Sequence, residues 1–250
     1  MKYWLSFCGY PRSGHTLIAA ILNANPNIMC SNQLNVYADV NNFNLKHIKD
    51  YSKIEATWKD TTQVEHVPKQ EILVVGDKTG HRTVVELGKN PQRLAIFKQI
   101  IQVPIKWIHV VRNPWDNCAT WAKLNFLNKK KQGKPADQHK ELDSVIQKYR
   151  DLNVIISRLR RSEDVLTVNH EHIMMQMHNT LELMANFLEV SFDPDWRMNV
   201  RKTVWDKPRI TRTQVSWSGP QKNALYKMTE QYEWLDGYDY GIGGCSGCGK

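Results

Sequence analysis

Short apolar runs alternate along the chain with longer stretches in which apolar residues recur every three or four positions. The short runs predict buried strands and the longer stretches predict amphipathic helices, so their order predicts βα units around a parallel sheet. We therefore expect an α/β protein with three layers, α/β/α, and a central parallel sheet of about five strands. The predicted strands cover residues 2–8, 28–30, 71–76, 105–111 and 165–168.

The helical spacing is clearest over residues 138–161, where apolar side chains fall on one face. The segment 31–70 is polar and weakly patterned, which suits a lid or substrate segment. We expect one domain over residues 1–240 and a flexible Gly/Cys tail over 241–250. Two other predicted helices begin near Gly14 and at Pro114. Four more cover residues 45–58, 91–101, 181–188 and 221–232.

A glycine-bracketed loop, Gly9-Tyr-Pro-Arg-Ser-Gly-His-Thr, joins the first predicted strand to the first helix. In the pattern GxxxxGK[ST], loop amides wrap phosphate oxygens and the lysine reaches the terminal phosphates of a nucleoside triphosphate. Here His15 replaces that lysine, and the positive charge lies inside the loop at Arg12. The loop indicates an anionic donor unlike magnesium ATP. The alternative is an ordinary strand, turn and helix whose glycines serve backbone geometry alone.

Three cations, Arg12, Lys78 and Arg112, follow the first, third and fourth predicted strands. Ligands of open α/β sheets bind beyond the carboxyl ends of the strands, so these side chains should meet in one crevice. Together they suit a multiply anionic ligand, although each alone could equally be a surface charge or an ion-pair partner. Pro114 opens the next helix and brings Thr120 near the same anion site, where its hydroxyl can donate to phosphate.

The net charge of the chain does not distinguish among the possible anionic partners. The 250 residues carry a net charge of +9 and a pI near 9.3, which suits an anionic ligand, nucleic acid or an acidic surface. The basic run 128–134 lacks interleaved aromatic residues and lies between predicted helices, so we favour a solvated connector and expect no nucleic-acid binding. We also expect no membrane insertion, because no apolar stretch is long enough to span a bilayer.

The cysteines and histidines do not indicate a metal site. Cys8, Cys30 and Cys118 lie in segments expected to be buried, which favours reduced thiols and a cytoplasmic location. The Cys-Ser-Gly-Cys run at 245–248 has no second pair near it, as a zinc knuckle requires. The His-Glu-His run at 170–172 lacks the HExxH spacing that brings two imidazoles to one helix face, so we expect no metal.

Together, these motifs resemble those of sulfotransferases that use 3′-phosphoadenosine 5′-phosphosulfate (PAPS), and the resemblance covers most of the chain. Residues 9–16 are similar to the family's 5′-phosphosulfate loop, and residues 111–120 resemble its 3′-phosphate motif, with Thr120 where serine is common. The resemblance implies a P-loop-like α/β fold. Further segments that resemble bacterial-type members, in residues and in order, are 76–79, 169–172, 187–190 and 208–217.

The resemblance also implies a reaction, namely in-line transfer of a sulfuryl group from PAPS to a hydroxyl or amine on a small-molecule or glycan acceptor. Positioning and cationic stabilisation would drive it without a metal, with Arg12 and Lys78 as the catalytic residues. The residues implied to bind the 5′ side are Pro11, Arg12, Ser13, Gly14, His15 and Thr16. Those implied to bind the 3′-phosphate are Arg112 and Thr120, completed by Arg209 and Arg212.

The general base is open. Related enzymes often carry a glutamate in the segment after strand two, whereas this chain has amides, Gln33 and Asn35, at both acidic positions. Because an amide cannot take up the proton, His81, Asp77 and Asp39 are the candidate bases, and Gln33 is a candidate for orienting the acceptor. An amine acceptor, or one with a low pKa, would relax the need for a strong base.

Two other functions stay open at this point. A P-loop nucleotide kinase would need magnesium and ATP, and the absent Walker lysine counts against it. A protein that binds PAPS or its product without turnover is credible because residues 31–35 contain no acid.

Overall fold

The structure is a computed structural model that describes residues 1–43, 54–55, 57–58, 68–201, 204 and 207–241. Its strands are β1 (Tyr3–Gly9), β2 (Ile28–Ser31), β3 (Val74–Asp77), β4 (Ile105–Val111) and β5 (Asp164–Asn169). They form one sheet in the order β2-β3-β1-β4-β5, in which every neighbouring pair is parallel. This confirms the predicted α/β fold and its five-stranded parallel sheet.

The side chains of β1 show how the sheet is buried on both faces. Trp4 and Cys8 belong to one hydrophobic core, and Leu5 and Phe7 belong to the other, because successive side chains of a strand point to opposite faces. All four are fully buried. A strand that is covered on both faces must be apolar along nearly its whole length, which is why this run is so easily recognised in the sequence.

Helices cover both faces of the sheet. The described helices are α1 (His15–Asn23), α2 (His81–Lys89), α3 (Gln92–Ile101), α4 (Pro114–Lys131), α5 (Gln138–Ser162), α6 (His170–Met175), α7 (Met177–Leu188), α8 (Pro194–Arg201) and α9 (Gly219–Gln231). Helices α1, α7 and α8 pack on the core that contains Leu5, and α2 to α5 and α9 pack on the core that contains Trp4. None of these described helices combines the length and apolar character needed to cross a bilayer.

Local sequence explains where three of the helices begin. The Asn113 side chain accepts hydrogen bonds from two amides in the first turn of α4, and Pro114 occupies a position where no amide is needed. Asp137 caps α5 in the same way. At α9, Ser218 and Gln221 form a reciprocal capping box. The cap at Asn113 fixes the start of α4 directly after β4, next to Arg112.

The sequence did not predict α2 or α8. The buried positions of α2 are Thr83, Val84 and Leu87, and those of α8 are Trp196 and Val200, which recur at helical spacing over only about two turns. The strand predicted over 71–76 forms its ladder only from Val74 onward. The helix predicted over 45–58 lies largely outside the described residues, as does the tail after residue 241, and both stay predictions.

Candidate active site

The loop between β1 and α1 is held in a tight conformation. Gly9, Arg12 and Gly14 have positive φ angles of 143°, 68° and 106°, which glycine adopts easily but arginine adopts only where the surroundings hold it. The Ser13 amide and hydroxyl both donate to the Tyr10 carbonyl oxygen, at 3.3 and 2.9 Å. The loop thereby leads into the first amides of α1, which have no acceptor within the helix and form a natural anion site.

His15 occupies the position of the Walker lysine, but its imidazole is used inside the fold. Nε2 lies 3.2 Å from the Cys8 carbonyl oxygen and Nδ1 lies 3.3 Å from the Ser13 hydroxyl. The ring fills the space beside Gly9 and Gly80, where an added Cβ would lie 2.8 and 2.4 Å from Nε2. Burial lowers the pKa of His15 to about 4, so the ring is neutral near pH 7. His15 can therefore offer a phosphate its backbone amide rather than its ring.

Lys78 follows β3 and lies against the start of α1. Its Nζ donates to Thr16 Oγ1 at 3.1 Å and lies 5.9 Å from the centre of the Trp58 ring. The side chain lines the crevice although Lys78 is only 3% exposed. Burial lowers the pKa of Lys78 because it disfavours the charged form. The ammonium of Lys78, after β3, and the hydroxyl of Thr16, in α1, thus lie side by side.

Asp77 is buried next to Lys78 and organises the chain after β2. Its carboxylate accepts hydrogen bonds from the amides of Leu34 and Asn35, both at 2.9 Å, and from the Ser31 hydroxyl at 3.0 Å. Burial raises the pKa of Asp77, and these hydrogen bonds oppose that shift. The carboxylate therefore holds the turn after β2 against β3, and the same turn brings Gln33 to the crevice wall.

Arg112 follows β4 and forms a cluster of donors with two threonines. Its Nη2 donates to the Arg209 carbonyl oxygen at 2.7 Å, and its Nη1 lies 3.4 Å from both Thr120 Oγ1 and the Arg12 carbonyl oxygen. The hydroxyls of Thr120 and Thr211 lie 2.9 Å apart. Within the described residues, Arg112 Nε has no hydrogen-bond partner. A guanidinium beside two hydroxyls is suited to an anion such as phosphate.

The guanidinium of Arg212 lies inside the fold, whereas the resemblance implies that it contacts the 3′-phosphate. It is 3% exposed, pairs with Asp116 of α4, and donates to the carbonyl oxygens of Tyr240 and Gly241. Asp116 also accepts the backbone amides of Thr211 and Arg212, at 2.6 and 2.7 Å. Because these groups satisfy its charge inside the fold, Arg212 does not reach the crevice wall. Its role is to fix the loop that carries Thr211.

These elements enclose a crevice of about 780 Å³ at the carboxyl ends of the strands. Ser13 is fully buried and turned into its own loop, so it does not line the crevice. Sequence reasoning missed Arg82, His170 and Thr211, although the strand-end rule that selected Arg112 also points to His170 after β5. The predicted residues on the wall are Pro11, Arg12, Gly14, His15, Thr16, Lys78, Arg112, Thr120 and Arg209.

His170 contributes a neutral ring to the wall. It packs on Gly14, where an added Cβ would lie 2.5 Å from its Nδ1. Burial, reinforced by the charge of Arg112, lowers the pKa of His170 to about 4. Its Nδ1 is buried against Gly14 and has no hydrogen-bond partner in the described part of the chain. The neighbouring Glu171 is structural, since it accepts the Asn113 amide at 2.8 Å.

The three candidate bases differ in position. Of these, His81 lies on the crevice wall, whereas Asp77 is buried behind it and the exposed Asp39 lies outside it. Burial lowers the pKa of His81, aided by the charges of Arg82 and Lys148. A neutral imidazole, which is the form that accepts a proton, is therefore favoured near pH 7.

A crevice at the point where the strand order reverses, lined by cations from three strand ends, defines a P-loop-like α/β protein with a site for an anionic ligand. The model of the sulfotransferase family matches residues 6–194, and the chain belongs to this family. This confirms the family that the motifs resemble and the prediction that the protein is a sulfotransferase. No curated relative matches the sequence.

Solved sulfotransferase structures share this fold. The sulfotransferase domain of the Synechococcus PCC 7002 olefin synthase is 15% identical, with coverage of 92% of this chain and 94% of that one and a TM-score of 0.55. The domain from the curacin biosynthetic pathway is 14% identical, with coverage of 92% and 96% and a TM-score of 0.53. The Alicyclobacillus acidocaldarius sulfotransferase is 13% identical, with coverage of 94% and 93% and a TM-score of 0.52.

Proposed function

We propose that the crevice binds PAPS and that the protein transfers the sulfuryl group to a hydroxyl or amine of a small-molecule or glycan acceptor. The observation that carries this proposal is the convergence of Arg12, Lys78 and Arg112 on one crevice. Lys78 lies beside Thr16 at the start of α1, and Arg112 lies beside Thr120 of α4. A nucleotide that is phosphorylated at both ends of its ribose presents anions at two such positions.

The residues around the first loop suit the 5′-phosphosulfate. The first amides of α1 are donors at the positive end of the helix dipole, and Thr16 and Lys78 add a hydroxyl and an ammonium. PAPS supplies an activated sulfuryl group at this end of the crevice. Arg12 and Lys78 stabilise the charge that builds on the departing phosphate, a task that in kinases falls largely to magnesium.

The residues around Arg112 suit the 3′-phosphate. Arg112 and Thr120 supply charged and neutral donors, and Thr211 extends this cluster. Arg209 lines the same wall. His170 also lines this wall, and its neutral ring is proposed to contact the nucleotide. Arg212 is not part of this set, because Asp116 holds its guanidinium.

In the transfer, the acceptor oxygen or nitrogen forms a bond to sulfur while the bond between sulfur and the bridging oxygen breaks. The electrons of that bond leave with 3′-phosphoadenosine 5′-phosphate (PAP), and the proton of the acceptor passes to a base. We assign the base to His81 because it lies on the wall and its lowered pKa keeps the ring in the neutral form that accepts a proton. Gln33, exposed on the same wall, is proposed to orient the acceptor through a hydrogen bond.

The proposed location is cytoplasmic. The described cysteines, Cys8, Cys30 and Cys118, are free and buried, which supports a reducing compartment.

The substitution Arg112→Ala tests the nucleotide assignment. It removes the charged donors proposed for the 3′-phosphate, so affinity for PAP should fall ~30-fold or more, equivalent to about 2 kcal/mol. Affinity for adenosine 5′-phosphate, which lacks that phosphate, should change less than about twofold. Lys123→Ala is the matched control, because Lys123 of α4 is an exposed cation that does not line the crevice.

Calorimetric titration with both nucleotides measures the two affinities. Equal losses for PAP and adenosine 5′-phosphate would exclude the 3′-phosphate assignment. If the unsubstituted protein fails to prefer PAP over ATP, the proposed donor is wrong. Sulfur-labelled PAPS with hydroxyl and amine acceptors then separates transfer from binding without turnover, since labelled product forms only in the first case.

A further inference from the structure

A second cavity adjoins the crevice on the side of α2. We call it the side groove, and it has a volume of about 490 Å³, within the range of small-molecule pockets. Three helices form it, and no residue of the first loop takes part. Its apolar walls come from Val85 and Gly88 of α2, Trp121 of α4, and Leu152 and Ile155 of α5.

The side groove meets the crevice at His81. This residue lines both cavities, and its ring lies 6.1 Å from the Trp121 ring in an edge-on arrangement. His81 comes three residues after Lys78, at the start of α2. A molecule in the side groove can therefore contact the proposed proton acceptor, which also borders the crevice that Lys78 lines.

The floor of the side groove depends on a close approach of α2 and α5. An added Cβ at Gly88 would lie 2.5 Å from Ile155 Cδ1, so a larger residue would fill this space or push the helices apart. Leu152, beside Ile155, is only 4% exposed and packs in the hydrophobic core that contains Trp4. The cavity is thus a feature of the packed helices, not of a loop.

The chemistry of the two cavities is different. The crevice is lined by cations from three strand ends, whereas the side groove is apolar, with Lys89, Lys148 and Asp151 as its charged residues. A sugar would bury hydroxyls against these walls with few partners, at a cost for each unpaired group. An aromatic ring or an alkyl chain would instead replace water on apolar surface, which is favourable.

We propose that the acceptor carries its hydroxyl or amine on an aromatic or alkyl body and that this body lies in the side groove. The inference rests on the proposed function for the location of the reacting group, and it narrows the acceptor class from small molecules and glycans to apolar-bodied alcohols and amines. Trp121 and Ile155 then act as specificity residues, because they contact the body of the acceptor and not the atoms that react.

The test uses 2-naphthol as the apolar probe and Ile155→Lys as the perturbation. Calorimetry measures naphthol binding to protein saturated with PAP, and steady-state assays with PAPS measure KM and kcat. Ile155→Lys puts a charge on the floor of the groove, so the naphthol Kd and KM should both rise ~tenfold or more, while kcat changes less than about threefold. Affinity for PAP should stay within about twofold of the parent value.

Val154→Lys is the matched control. Val154 is the preceding residue of α5, it is 41% exposed, and it does not line the side groove. It should leave naphthol binding and KM unchanged. If Ile155→Lys does not fold, Trp121→Ala provides the second variant, because it removes one wall of the groove and should raise KM for naphthol without changing affinity for PAP.

Several results would overturn the inference. They are a failure of the unsubstituted protein to bind naphthol, equal effects of Ile155→Lys and Val154→Lys, or sulfation of sugars in preference to naphthol and to decanol. Light scattering provides one more test, because it measures whether the protein is a dimer. If the unsubstituted protein is a dimer and Ile155→Lys is a monomer, the side groove holds a second copy of the chain instead of the acceptor. If the unsubstituted protein does not bind PAP, the proposed function is refuted instead. Naphthol binding would still show whether the side groove accepts an apolar molecule.

Discussion

Acid should destabilise this protein through histidines that the fold keeps neutral, and His15 gives the sharpest test. Its ring is held by the Cys8 carbonyl and the Ser13 hydroxyl, and Lys78 and His81 disfavour its protonation further. The folded-state pKa is about 4, against 6.5 for the free side chain. Between these two values the unfolded chain binds a proton that the folded protein does not, so stability is greatest above pH 6.5 and falls as the pH drops.

The size of the effect follows from the two pKa values. Linkage gives a loss of about 2 kcal/mol in the free energy of unfolding between about pH 7 and about pH 5 from His15 alone. His170, whose pKa is also lowered to about 4, adds a similar loss. Asp77 and Glu171 act in the opposite direction, because burial raises the pKa of each carboxyl group. These contributions are common to parent and variant, so their difference isolates His15.

The assay is urea unfolding of the parent and of His15→Gln at about pH 7 and about pH 5, followed by tryptophan fluorescence. Glutamine keeps a donor for the Cys8 carbonyl but has no titratable ring. The parent should lose about 2 kcal/mol more than His15→Gln over this interval, whereas the exposed His178→Gln should behave like the parent. An identical pH dependence of the parent and His15→Gln would refute the reasoning. His170→Gln repeats the test if the first variant does not fold.

Three further predictions concern single positions. Gly80→Ala should lower both stability and affinity for PAP, because the new Cβ would lie 2.4 Å from the His15 ring; thermal unfolding and calorimetry measure the two effects. Arg212→Met should cost about 3 kcal/mol or more in urea unfolding, because it leaves a buried carboxylate without its ion-pair partner. His81→Asn should lower kcat ~100-fold or more while the Kd for PAP is unchanged, as expected for a general base.

Each of these predictions has a control of the same residue type. Gly219→Ala should be neutral, since no atom lies within 4 Å of its added Cβ. Arg158→Met removes an exposed arginine that lies outside the crevice and should change stability little. His139→Asn removes an exposed histidine and should leave kcat unchanged. Equal effects in a variant and its control would contradict the corresponding prediction.

The sheet and the strand-end cations could be predicted because both depend on local pattern. Each strand of the sheet is a short apolar run, and the parallel topology brings Arg12, Lys78 and Arg112 to one edge whatever the details of packing. The same rule applied to β5 would have found His170. The short helix α2 was not predicted, although its buried positions Thr83, Val84 and Leu87 recur at helical spacing.

Long-range partners decide where the side chains of Arg212 and His15 lie, and the motifs do not show those partners. Arg212 lies in the loop where a 3′-phosphate contact was expected, yet its guanidinium forms an ion pair with Asp116, 96 residues earlier. His15 lies in the phosphate loop, yet its ring is turned inward to pack beside Gly80 of a different strand end. Such pairings are set by the tertiary structure, and neither a motif nor a hydrophobic period records them.

The packing of one imidazole beside two glycines also constrains how this protein can evolve. The size of residue 80 limits the size of residue 15, because both side chains must share the same space. Homologues with a larger residue at the position of Gly80 should carry a smaller one at the position of His15, and the two positions should vary together. If the loop over residues 9–16 were replaced by that of such a homologue, Gly80 would have to be exchanged at the same time.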